Sequence, residues 1–189
     1  MKVKNLILIF ILIASLLAGC AKPAPAPAPS PTPAPTPSDA TPDKVTTASI
    51  VDNAAAFEKA ISSSGTWIIA ITKDLAINKE LVLDGEFKNG KKDANGKDII
   101  QRKVALYAQD ANRNITARYT LAAPKLTIIS PEASIQHGTF KGDLYVSSKN
   151  FKLVDATVDG NVYFTTDEAK NTFTMDDKSK ITGKQEVKK

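Results

Sequence analysis

One thiol, one imidazole and a pair of tyrosines are the side chains of this sequence best placed to do chemistry. Cys20 is the only cysteine and His137 the only histidine of 189 residues. A lone cysteine can act as a nucleophile, but it cannot close a disulfide or build a multi-cysteine metal site within one chain. A lone histidine excludes a paired-histidine metal centre. No Gly-x-Ser-x-Gly elbow, phosphate-cradling glycine loop or dinucleotide fingerprint occurs. Laying the C-terminal part out in units of about eighteen residues puts His137, Asp155 and Asp177 at one corner of successive units. Two carboxylates beside an imidazole could hold a metal or share a proton. The plainer role of an aspartate at a corner is to cap the turn, and Asp143 and Asn161 read the same way. No catalytic residue, metal or cofactor is therefore expected, and those three residues are the nearest approach to such a site. Tyr145 and Tyr163 lie eighteen residues apart, each between residues assigned to the interior. Both should point outward and stack. They are candidates to bind sugar rings or a protein, with Lys141 and Lys152 adding polar contacts. Alternatively, they stack on each other and stabilise the sheet.

The elements that must position these residues follow from a repeat. Leu126-Thr127-Ile128-Ile129-Ser130 recurs as Leu144-Tyr145-Val146-Ser147-Ser148 and as Val162-Tyr163-Phe164-Thr165-Thr166. Each block is apolar at its first and third positions and carries a hydroxyl at its fifth. Phe140-Lys141-Gly142-Asp143 matches Val158-Asp159-Gly160-Asn161, and Ile181-Thr182-Gly183-Lys184 continues the series. Phe151 to Asp155 pairs likewise with Phe173 to Asp177. So short a unit cannot bury its own apolar face. Stacking copies about 4.8 Å apart, with parallel pairing between them, does so. Leu126, Leu144 and Val162 then form one inward stack, and Ile128, Val146 and Phe164 another. Gly142, Gly160 and Gly183 fit corners too tight for a side chain.

Upstream, Asp52 or Asn53 can cap a helix running to about Ser62, with Ala56, Phe57, Ala60 and Ile61 as its apolar stripe. Trp67 to Ile71 and Leu81 to Leu83 read as strands. Glu86 to Lys103 breaks the pattern. It is polar and basic, holds Asn89-Gly90 and Asn95-Gly96 as turn signals, and should project as a solvated hairpin or loop. Asp93 to Asp98 matches a calcium loop only loosely, for the distal glutamate is missing.

In layout, the domain resembles the right-handed parallel β-helix superfamily, which includes pectate-lyase-like and bactofilin-type proteins. The resemblance, which covers roughly residues 50 to 187, implies an all-β fold for the domain of residues 44–189: a short right-handed parallel β-helix, or β-solenoid, of about 18-residue rungs with an N-terminal capping helix. The competing architecture is an antiparallel sandwich with a chance repeat.

The first 43 residues give an address. Lys2 and Lys4 precede an uncharged run from Leu6 to Ala18. In a helix that run spans about 20 Å, too short to cross a bilayer but suited to an export signal. Leu17-Ala18-Gly19-Cys20 resembles the lipobox of bacterial lipoproteins. The resemblance implies a signal peptide over 1–19, cleaved before a lipidated Cys20. The competing reading is a non-lipidated signal peptide. Residues 20–43 continue as a stalk: proline occupies every second position from Pro23 to Pro37. Proline denies the backbone its donors, so extended polyproline II is expected, about 45 Å for that run.

The net charge is +5; without Lys2 and Lys4 it is +3, from 23 basic and 20 acidic residues. So mild and dispersed a bias does not suggest a nucleic-acid binder. The expected product is an exported, membrane-anchored surface lipoprotein. Its partners would be the membrane, through lipid, and a polysaccharide, wall component or protein bound by a non-enzymatic module. Two alternatives are a small lyase-like enzyme acting on polysaccharide and a self-assembling scaffold. The fold analogy alone favours the first. The charged tail Lys184 to Lys189 opposes the second.

Overall fold

The computed structural model describes residues 48–188. The expected signal peptide, Cys20 and the expected proline-rich stalk lie outside the described residues. In chain order come β1 (Ser49–Val51), α1 (Ala54–Ile61), β2 (Ile68–Ile71), β3 (Leu75–Ala76), β4 (Leu81–Leu83), β5 (Lys88–Lys92), β6 (Asp98–Ile100), β7 (Arg102–Ala105), β8 (Tyr107–Gln109) and β9 (Ile115–Arg118). There follow β10 (Thr120–Ile128), β11 (Ala133–Gln136), β12 (Thr139–Val146), β13 (Lys152–Val154), β14 (Thr157–Asp159), β15 (Val162–Phe164), α2 (Asp167–Thr172), β16 (Thr174–Met175), β17 (Lys180–Ile181) and β18 (Gln185–Val187). The Asn53 side chain caps α1 by accepting from the Ala56 amide at 2.9 Å, and Phe57, Ala60 and Ile61 are buried beneath it.

The fold is mostly β, and its two larger sheets are parallel. The first runs β1-β2-β7-β11-β13-β16. The second runs β17-β14-β12-β10-β3, with β4 also on β10, and β15 between β12 and β18. Register follows the repeat. Leu81, Leu126, Leu144 and Val162 are successive partners, as are Leu83, Ile128, Val146 and Phe164. All eight are buried. Each such side chain contributes roughly 1.5–3 kcal/mol by leaving water. The first sheet repeats the pattern with Ile69, Val104, Ile135 and Leu153.

Corners are set by backbone chemistry. A Cβ on Gly142 would stand 1.8 Å from the Ala123 carbonyl oxygen, and one on Gly160 would stand 2.0 Å from that of Gly142. These glycines let adjacent backbones touch. Pro124 is tolerated inside β10 because it falls where the ladder with β12 is interrupted, between Ala122 and Lys125. Glu132 and Asn150, and then His137 and Asp155, have positive φ of 52°, 58°, 60° and 49°. These pairs flank β11 and β13 eighteen residues apart. Asn, Asp and His tolerate this conformation better than most residues.

Longer spacings are filled by insertions. β5 and β6 form an antiparallel hairpin, as expected of the stretch from Glu86, but two details differ. Asn89-Gly90 lies within β5 where its ladder shifts, and Arg102 and Lys103 already belong to β7. A second hairpin, β8–β9, and the helix α2 were not anticipated. α2 occupies the extra residues between Val162 and its partner Gln185, and Thr166 caps it by accepting from the Ala169 amide at 3.0 Å. The two hairpin tips are twins. Asp93 Oδ1 accepts from the amides of Asn95 and Lys97, and Asp110 Oδ1 from those of Asn112 and Asn114, all within 2.9 Å. Gly96 and Arg113 hold the same left-handed position, with φ of 77° and 68°.

Candidate functional site

The candidate binding surface is built on the second sheet. β12 and β15 bring Tyr145 and Tyr163 into direct register, and alternation with buried neighbours turns both outward. Their ring centroids are 4.8 Å apart at an interplanar angle of 42°. Both rings are half-buried and carry cations. Lys125 Nζ lies 4.8 Å from the Tyr145 centroid and pairs with Glu80 at 3.1 Å. Lys188 Nζ lies 4.7 Å from the Tyr163 centroid and donates to the Tyr145 hydroxyl at 3.2 Å. That hydrogen bond, followed by the coulombic effect of Tyr145, raises the Lys188 pKa above the ordinary lysine value.

The other two binding candidates separate. Lys141 is exposed on β12, beyond the Gly142 bend from the tyrosines and in register with Ala122 and Asp159. Lys152 belongs to β13 of the first sheet, so the structure does not bring it to the tyrosine pair. Lys125 and Lys188 take the places that sequence reasoning gave to Lys141 and Lys152. A signal for Lys125 existed: it immediately precedes the repeat block, in register with Asp143. Lys188 carried none, because β18 is offset by the α2 insertion.

The corner holding His137 is more elaborate than expected. Asp155 Oδ2 takes Arg118 Nη2 at 2.5 Å and His137 Nδ1 at 3.1 Å. Arg118 Nη1 also donates to the Asp155 carbonyl at 3.2 Å. The hydrogen bond from Arg118, then that from His137, holds the Asp155 carboxyl below the usual range. Tyr107 meets the His137 ring edge-on at 4.6 Å. Asp177 is exposed and takes no part in these contacts. Its neighbour Asp176 instead accepts from the Asp155 amide at 2.9 and 3.0 Å, with its own carboxyl lowered chiefly by the hydrogen bond from Ser179. The group thus clasps the β8–β9 hairpin to two successive corners. Among the described residues no three His, Cys, Asp or Glu side chains are grouped to hold a metal ion. The aligned Asp143 and Asn161 form a corner ladder: Asn161 donates to Asp143 Oδ1 from its amide at 3.1 Å and its Nδ2 at 2.9 Å, then accepts from the Lys184 amide at 3.0 Å.

Arg102 escaped sequence reasoning. It is fully buried, its Nη2 donating to the carbonyls of Ala60 and Ser62 at 2.8 and 3.0 Å, at the C-terminal end of α1. Its guanidinium lies 3.8 Å from the Phe87 ring centroid. Burial lowers its pKa to about 10, and nearby Asp84 opposes the shift, so it stays charged at neutral pH. A cation is favourable where helix carbonyls are left unpaired.

Comparison with known proteins finds no matching family, no matching curated protein and no matching solved structure.

Proposed function

We propose that the chain is an exported lipoprotein, acylated on Cys20, whose residues 44–189 form a short right-handed β-solenoid on a proline-rich stalk. In this reading the solenoid is a non-enzymatic binding module for a polysaccharide, a wall polymer or a partner protein. The observation that carries it is the Tyr145–Tyr163 pair, set in register on adjacent strands and edged by Lys125 and Lys188. Parallel pairing in register over five successive strands at Leu81, Leu126, Leu144, Val162 and Gln185 supports the solenoid. The Leu17-Ala18-Gly19-Cys20 motif supports the anchor.

The geometry refines how a ligand would bind. One side of each ring faces the other tyrosine, and the lysines crowd the pair, so a sugar cannot simply lie on a bare aromatic face. It would displace a lysine, or meet the amines and hydroxyls at the ring edges. Removing both rings tests this. The full chain in detergent is expected to be retained saturably by isolated cell walls, and a Tyr145→Ala/Tyr163→Ala variant to lose at least tenfold in affinity. Equal retention of the two proteins would exclude the tyrosine face as the binding surface.

A further inference from the structure

The outward face of the first sheet is bordered by both hairpins. β6 leads into one end of β7 and β8 leaves the other. Tyr107 and Ala108 border a cavity of about 350 Å³, floored by Ile68, Ala70, Lys103 and Ala105. Ile99 and Ile100 border a second, of about 230 Å³, floored by Ser134, Gln136, Lys152 and Val154. These floors belong to one face, because Ile68, Lys103, Ser134, Lys152 and Thr174 are partners in register across β2, β7, β11, β13 and β16. A second column runs Ala70, Ala105, Gln136, Val154. The alternate residues Val104, Ile135 and Leu153 are buried inward.

The chemistry of this groove is uneven in one respect. Lys103 and Lys152 stand two strand spacings apart, about 10 Å. Among the described residues neither has an ion-pair partner. Neither column contains a carboxylate. Glu132, at the border, is engaged by the side-chain amide of Asn150. Between the lysines lies the buried Ser134, whose hydroxyl donates to the Arg102 carbonyl at 3.5 Å and accepts from Gln136 Nε2 at 3.0 Å, holding the Gln136 amide in the groove. Two uncompensated cations, a hydroxyl and an amide over a floor of small apolar side chains form a polyanion subsite of saccharide character. We infer that the groove binds a strand of carboxylate-bearing polysaccharide laid across the β-strands. Lys103 and Lys152 each take a carboxylate, at the reach of a disaccharide. Gln136, held by Ser134, meets the hydroxyls between them. This site shares no residue with the tyrosine surface, and each can fail alone.

Electrophoresis of the full chain in detergent through gels holding carboxymethylcellulose or hydroxyethylcellulose tests the inference, since these polymers share a backbone and differ in charge. Expected are retardation by the first and not the second, weakening with added salt, and at least a tenfold loss of affinity in Lys103→Gln/Lys152→Gln. The single exposed Lys152→Gln change should give an intermediate loss, a safeguard should the double variant fold poorly. No retardation by the charged polymer, equal retardation by the neutral one, or lysine variants that bind as the parent does would overturn it. Binding lost in Tyr145→Ala/Tyr163→Ala but kept in the lysine variants would reject the groove and leave the tyrosine surface standing. The reverse pattern would leave the groove standing alone.

Discussion

Arg113 and Gly96 occupy equivalent places in two hairpin tips built on the same hydrogen bonds, yet only one is a glycine. A left-handed conformation costs a residue with a Cβ roughly 1–2 kcal/mol, partly offset because glycine has more freedom to lose on folding. Arg113→Gly is therefore expected to stabilise the protein by roughly 0.5–1 kcal/mol. Its urea midpoint should rise with the slope of the transition unchanged. A lower midpoint would mean that the Arg113 side chain makes a favourable contact outweighing its backbone strain. This pair also shows what a sequence conceals. Asp93-Ala94-Asn95-Gly96 announces a turn through its glycine, whereas Asp110-Ala111-Asn112-Arg113 forms the same turn without that signal. Arg102 was harder still to read. An arginine beside lysine at the end of a basic stretch looks solvated, and the carbonyls of Ala60 and Ser62, some forty residues earlier, with the Phe87 ring, give it a buried place. The tyrosine register, by contrast, was legible, because eighteen-residue spacing needs no tertiary information.

At the scale of elements, the repeat reveals strands and leaves the insertions between them to tertiary context. Where units are evenly spaced, from Leu126 to Phe164, inward and outward positions were legible from alternation alone. Where α2 intervenes, the match of Phe151–Asp155 with Phe173–Asp177 keeps the register of β13 on β16, but the Asp155 amide is capped by Asp176 and not by the aligned Asp177. The same corner determines how the β8–β9 hairpin is held. Asp155 has a lowered carboxyl pKa, so its contribution is fully present above the unfolded carboxylate value and is lost as pH falls through the folded one. Stability from the Arg118–Asp155 contact should therefore fade below about pH 4. Asp155→Asn keeps a residue that accepts positive φ but removes the charge. The variant should be less stable than the parent at neutral pH, and the gap should close as pH falls from about 5 to 2. Unfolding followed at several pH values would measure this. A gap that stayed constant throughout would assign the effect to hydrogen-bond geometry and not to charge.

For the whole molecule, stability should vary along the chain, because each strand of the two parallel sheets is hydrogen-bonded only to its neighbours in the sheet. β12 is bonded along its length to β10 on one edge and to β14 and β15 on the other, and Phe140, Leu144 and Val146 beneath it are fully buried. Among the described residues β1 pairs only with β2, while β16, β17 and β18 each have a single neighbour. Opening β12 breaks two ladders and exposes core, whereas opening β18 breaks one ladder and exposes little. Amide exchange should accordingly be slowest in β10 and β12, approaching the limit set by global unfolding, and faster by orders of magnitude in β1 and β16 to β18. Uniform protection would instead describe one cooperative unit with no weak edge. The gradient bears on binding. Tyr145 sits on the best-anchored strand, while Lys188 reaches it from beyond β18, where the backbone is held by one bond to the Phe164 carbonyl at 2.8 Å. A ligand arriving at the tyrosines would meet a rigid ring and a labile amine, and would displace the amine at the smaller cost.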